Sequence, residues 1–174
     1  MDYKIKPGTM SHHLNTFYDK IINDEILMRL LCYKPANQRE GRPHPLDISL
    51  PNIVGGDNNI YWDFVDSRVL TTVKSSDIED KEELCRLYIY PGRRRPDNKS
   101  YVLAKQEIII DVLVHESYSS DLRQERICDR LNELLALEHI TGFGKVEYAG
   151  GAPRNAPIEY SKYENIFLIG DGKK

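Results

Sequence analysis

Apolar residues along this chain recur at spacings that predict a small set of elements. From Ser11, a helix-capping residue, Leu14, Phe17, Tyr18, Ile21 and Ile22 follow the helical period. Asn23 or Asp24 caps a second segment with Ile26, Leu27, Leu30 and Leu31 on one side, leaving open one kinked helix or two. Lys34-Pro35 ends it, because proline cannot continue the ladder. Residues 35–60 carry Pro35, Pro43, Pro45, Pro51 and Gly55-Gly56 with few consecutive apolar positions. A connection of that length is usually functional or mobile. Tyr61 to Val73 reads as a strand anchored by Trp62, Phe64 and Val69, and Lys74 to Glu83 as a polar loop.

The strongest pattern is a long hairpin: Leu84 to Tyr90, a turn over Pro91 to Lys99, and a second limb from Ser100 to Glu116. That limb has no internal Gly or Pro and extends roughly 50 Å at about 3.3 Å per residue. Strands usually run to about 5–6 residues. Two readings compete: a bent or bulged strand within one sheet, and a projecting arm that pairs with neighbouring subunits. The length favours the arm.

Ser119-Ser120-Asp121 opens the clearest helix, where Asp121 and Gln124 have capping-box spacing. Ile127, Leu131, Leu134 and Leu135 form its apolar stripe, Arg123, Arg126 and Arg130 decorate another face, and Gly142 ends it. Lys145 to Tyr148 and Glu159 to Ile169 are the final strands, joined by the turn Gly150-Gly151-Ala152-Pro153. The expected architecture is α+β: a mainly antiparallel sheet with a long β-hairpin and two helices packed on one face. Residues 1–10 and 170–174 read as tails, and 11–169 as one domain interrupted by the loop at about 35–60.

Composition narrows the classes. Hydrophobic residues make up 40% and charged residues 29%, and the net charge of −3 gives no global attraction to nucleic acid or anionic membranes. No apolar run reaches the roughly 20 residues that span a bilayer, and the first residues lack the apolar core of a signal peptide. Cys32, Cys85 and Cys128 have no C-x-x-C spacing and read as reduced, buried thiols. Eleven tyrosines against one tryptophan and four phenylalanines suit surfaces half buried at interfaces.

Chemical motifs are sought and mostly fail. His12-His13 reads as a solvated pair in a frayed first turn, since adjacent helical residues diverge too far to share a metal. His115 and Glu116 point to opposite faces of a strand. Gly142-Phe143-Gly144-Lys145 lacks the spacing and hydroxyl of a phosphate loop. Lys105-Gln106-Glu107 reverses the order a metal-dependent nuclease needs, and Asp111 fits a buried carboxylate but reads first as an exposed or interface residue. The expectation is therefore no enzyme: no catalytic residue, metal or cofactor. Arg93-Arg94-Arg95, at the hairpin tip, is the sharpest charge cluster. A solvated tip, a contact with an acidic patch such as 77–83 of a neighbouring copy, and a grip on DNA phosphates all fit it.

The phrases Leu14-Asn15-Thr16-Phe17-Tyr18-Asp19-Lys20-Ile21, Leu30-Leu31-Cys32-Tyr33-Lys34-Pro35, Tyr90-Pro91-Gly92-Arg93-Arg94-Arg95 and Ile127-Cys128-Asp129-Arg130-Leu131-Asn132-Glu133-Leu134-Leu135 together resemble the small neck and tail-completion proteins of tailed bacteriophages. The element order is similar to the tail-terminator fold. The resemblance spans roughly residues 14–169 and carries no catalytic signature. It implies a structural virion protein forming a ring homo-oligomer, expected as a hexamer, that completes the tail and joins it to the head connector. The implied partners are the tail tube protein, head-connector or neck proteins, and genomic DNA passing through the channel without sequence-specific binding. No membrane is involved. The implied location is the virion neck, with the host cytoplasm during assembly. The candidate contact residues are Arg93, Arg94, Arg95 and Tyr101 of the hairpin, Pro43, His44, Pro45 and Leu46 of the long loop, and Tyr160 and Tyr163. Rival readings are another neck ring, such as a head-completion or stopper protein, and a small nucleic-acid-binding protein.

Overall fold

The computed structural model of the protein describes residues 9–72, 82–97, 100–140 and 144–172, apart from the side chains of 58–59, 96–97, 100–103 and 171–172. Helix α1 (Met10–Ile22) starts one residue before Ser11, and Thr9 caps it by accepting the His12 N–H at 3.3 Å. Asp24 then takes extended backbone and accepts the Leu27 N–H at 2.9 Å, so a separate helix α2 (Glu25–Cys32) begins. There are two helices here, with Asp24 rather than Asn23 as the second cap. His13, expected in solvent, is fully buried. It stands one helical turn before Phe17 and two before Ile21, on the face that enters the core.

Residues read as a strand from Tyr61 are helical instead: α3 spans Asn58–Arg68. Tyr61 and Val65, four apart, enter the core together, and the Tyr61 hydroxyl donates to the Ile22 carbonyl at 2.7 Å. Trp62, expected as an anchor, is 48% exposed. Strand character is confined to β1 (Val69–Leu70). Of the acidic segment 74–83, residues 74–81 lie outside the described residues.

The remaining strands are β2 (Cys85–Asp97), β3 (Ser100–His115), β4 (Glu147–Arg154) and β5 (Tyr160–Gly172). Their order is β1-β2-β3-β5-β4, antiparallel except for β1 on β2. The long limb, β3, is therefore not a projecting arm. It pairs with β2 on one side and with β5 on the other, from Leu103 opposite Gly172 to His115 opposite Tyr160. Its backbone groups find their partners within the chain, which is how so long a strand is held.

Strand β2 also runs further than predicted. Arg94 stands opposite Gln106 and Arg95 opposite Lys105, so the arginines lie on the strand and not in a tip loop. Pro91 is tolerated because β1 partners β2 only at Leu87 and Tyr88, leaving the outer side of Pro91 with no ladder bond to lose among the described residues. A register shift falls between Pro91 and Arg94. There, a Cβ on Gly92 would lie 2.8 Å from Glu107 Cβ and 2.9 Å from Ile109 Cδ1. That lack of a side chain lets Glu107 reach over and accept the Arg93 N–H at 2.9 Å. Gly92→Ala is expected to cost about 1–3 kcal/mol through overpacking, read as a lower urea midpoint with unchanged m-value. An unchanged midpoint would show that the shift absorbs the methyl group.

Gly150-Gly151-Ala152-Pro153, read as a turn, is edge strand instead. A Cβ on Gly151 would lie 2.5 Å from Tyr163 Cε1 and 2.7 Å from the Tyr148 hydroxyl, so two tyrosines occupy the space its side chain would fill. β5 continues past Ile169 to Gly172.

Helix α4 (Arg123–Leu135) follows a 3₁₀ turn over Glu116–Asp121. The predicted capping box does not form. Leu122 intervenes with φ of 56°, Asp121 turns to Arg123, and Gln124 Nε2 donates to the Val112 carbonyl at 3.2 Å. Arg123 is fully buried, because 123, 127, 131 and 135 repeat every fourth residue on the inward face. Its guanidinium donates to the carbonyls of Leu30 and of Tyr33 (2.7 Å), which end α2, and pairs with Asp121 at 2.7 Å. The helix stops at Leu135, before Gly142, which lies outside the described residues.

All four α-helices contribute to one core over one face of the sheet, where Leu87, Ile89, Ile108, Ile110, Val112 and Phe167 point. The fold is α+β, and among the described residues it has a mostly antiparallel five-stranded sheet and four α-helices where two were expected.

Candidate interaction surface

The ten residues singled out from the sequence do not converge. Arg93, Arg94 and Arg95 are exposed on the outer stretch of β2, the edge of the sheet beyond Tyr88. Tyr101 lies on β3, with its side chain outside the described residues. Tyr160 is half-buried, its ring 5.0 Å from that of His115 and its hydroxyl donating to the Glu82 carbonyl. Tyr163 faces the helices beside α4, further along β5.

The long loop is held down by α2. The Glu25 carboxylate accepts the N–H groups of Ile53 (2.9 Å) and Val54 (2.7 Å), while its neighbour on the helix, Arg29, pairs with it at 3.1 Å. Arg29 also donates to the Leu50 carbonyl, and the Tyr33 hydroxyl to that of Pro51 at 2.7 Å. Pro45 is consequently buried, and Leu46 is partly buried against the core. His44 is partly buried, its Nε2 2.7 Å from an Arg126 guanidinium nitrogen. The loop's outward apolar residue is Ile48, 98% exposed.

A cavity of about 310 Å³ opens where α4 covers β5 but leaves β4 uncovered. Its helix wall carries Cys128 with Glu125 and Asp129, and its sheet wall Tyr148, Tyr163 and Asn165. Asn165 is 1% exposed and forms the floor, donating to the Ile110 carbonyl and to Cys128 Sγ, each at 3.4 Å. Burial pushes the Cys128 thiol up to about 11, which keeps it neutral near pH 7 and poorly nucleophilic. The polar wall was not legible in advance, because it needs α4 laid over β5 and the segment read as a turn paired with β5 as an edge strand.

On the other face of β3, Asp111 is fully buried, against the expectation of an exposed or interface residue. Lys162 meets it at 2.7 Å and the Tyr90 hydroxyl donates to it at 3.0 Å. Its register partner Glu164 pairs with Arg154 at 2.5 Å. Desolvation, then the nearby Asp111 charge, drives the Tyr90 phenol well above its ordinary range. Like charges directly opposite would repel. Here each carboxylate has its own cation. Among the described residues, no three His, Cys, Asp or Glu side chains gather in a metal-binding group, and no helix is long and apolar enough to cross a membrane.

Fold and surface together define an α+β protein whose polar features are a basic strand edge, an acidic tyrosine-lined cavity and neutralised buried charges. The sequence profile of the YomW family matches residues 24–169. The SPbeta prophage-derived uncharacterized protein YomW of Bacillus subtilis (strain 168) is 33% identical over 165 residues, covering 88% of this chain and 92% of that protein. The chain belongs to the YomW family.

Proposed function

We propose that this chain is a phage-encoded structural protein that assembles as a ring at the head–tail neck, completing the tail and offering a surface to the head connector. The observation that carries this reading is the outer edge of β2: from Ile89 to Asp97 it has no second strand partner among the described residues, and it bears Arg93–Arg95. A strand edge of this kind supplies backbone donors and acceptors to another chain without a large apolar patch. A patch that meets a different patch on the next copy closes into a ring when the rotation allows. Family membership with a prophage-encoded relative supports a phage origin.

Light scattering of the purified protein across concentration, alone and with isolated tails, tests the reading. A closed ring, or a monomer that binds tails, is expected. A monomer that ignores tails but retains DNA at moderate salt would sink it in favour of nucleic-acid binding, whose affinity would fall steeply with salt. Copurification with filled heads rather than tails would move the ring to the head-completion or stopper position.

A further inference from the structure

On opposite sides of its sheet the chain carries two surfaces of complementary charge. The outer stretch of β2 presents Arg93 and Arg95 to solvent. The cavity between α4 and β4 presents Glu125 and Asp129, one helical turn apart. Neither carboxylate has an ion-pair partner among the described residues, whereas Glu133 on the same helix and Asp24 both hold Arg130. Two strands separate β2 from β4, a distance of roughly 15 Å at about 4.8 Å per spacing. One copy therefore cannot close this contact on itself.

We propose that the cavity beside α4 receives the Arg93–Arg95 stretch of a neighbouring copy. The inference rests on the ring reading and gives that ring its heterologous contact. The chemistry of the cavity selects a guanidinium. Two carboxylates offer bidentate acceptors to a planar donor fork. Tyr148 and Tyr163 line the sheet wall, and tyrosine faces attract cations. The volume of about 310 Å³ lies at the small end of the roughly 300–1,000 Å³ typical of ligand sites, a size suited to side chains. Gly151 maintains the shape by leaving room for both rings.

Two charge reversals test the pairing. One variant carries Glu125→Arg and Asp129→Arg, the other Arg93→Glu and Arg95→Glu. Each alone should lose the ring at concentrations where the wild type is fully assembled, with thermal unfolding unchanged. If either reversal lowers the unfolding temperature, Glu125→Gln with Asp129→Asn, or Arg93→Gln with Arg95→Gln, takes its place and should weaken assembly at least tenfold.

A one-to-one mixture of the reversed variants should assemble again with alternating composition. In it, native strand meets native cavity and reversed meets reversed. A wild-type ring that survives either reversal overturns this contact and leaves the ring reading standing. Rings lost on reversal but not restored by mixing show that the two surfaces do not face each other, which also overturns it. A wild type that stays monomeric alone and ignores tails overturns the ring reading, and the contact falls with it.

Discussion

Replacing Arg123 with methionine is expected to lower stability by about 3–5 kcal/mol, the range for stripping one partner from a buried ionic arrangement. At roughly 2–4 °C per kcal/mol for a chain of this size, the melting temperature should fall by about 6–20 °C. The guanidinium does three things at once. It satisfies the carbonyls of Leu30 and Tyr33, which have no partner further along α2, it neutralises Asp121, and it stacks 5.2 Å from the Tyr118 ring centre. A second change, Asp121→Asn, should therefore recover little, because the α2 carbonyls remain without a donor. Thermal and urea unfolding of both variants check this. A loss under about 1 kcal/mol would mean that water caps α2 equally well.

Asp111→Leu should cost about 3 kcal/mol, at the low end of the same range because Lys162 keeps 20% of its side chain exposed and can turn to water. Here the double variant Asp111→Leu/Lys162→Met should regain most of the loss, since it removes both halves of a pair instead of orphaning one. A double-mutant cycle by urea unfolding gives the coupling. The Tyr90 phenol supplies an independent readout. Burial and the Asp111 carboxylate both raise it, so removing the carboxylate should let Tyr90 ionise at lower pH in an absorbance titration. Equal losses in the single and double variants would show that Asp111 acts through Tyr90 alone.

These two sites also show where the sequence was legible. The helices α1 and α2 follow their apolar period, the second hairpin limb is rich in β-branched residues, and the first carries Leu87, Tyr88, Ile89 and Tyr90 in a row. The four-residue spacing of Arg123 with Ile127, Leu131 and Leu135 was equally visible, yet its charge suggested the outer face. The α2 carbonyls, brought from far along the chain, together with the Asp121 carboxylate make burial of that charge tolerable. Tyr61, Trp62, Phe64 and Val65 have strand propensities, but a core that takes Tyr61 and Val65 on one face overrides them. Gly150 to Pro153 have turn composition. At an edge, a missing side chain and a missing N–H are no handicap, so the segment forms strand. The cavity and the Asp111–Lys162 pair depend on the β3–β5 register and on where α4 crosses, and neither is written in local pattern.

The placement of β3 has a consequence for how the chain is made. Its partner β5 begins at Tyr160, long after His115 has been added, so one side of Ile108-Ile109-Ile110 and Val112-Leu113-Val114 stays unpaired while the intervening segment is translated. At about 5–20 residues per second that interval lasts roughly 2–10 seconds. During it the most apolar strand of the nascent sheet is a template for any other strand nearby, including the same segment on a chain emerging from the next ribosome. Late strand pairing thus ties the yield of native protein to translation speed and to chaperones that shield this strand until β5 arrives.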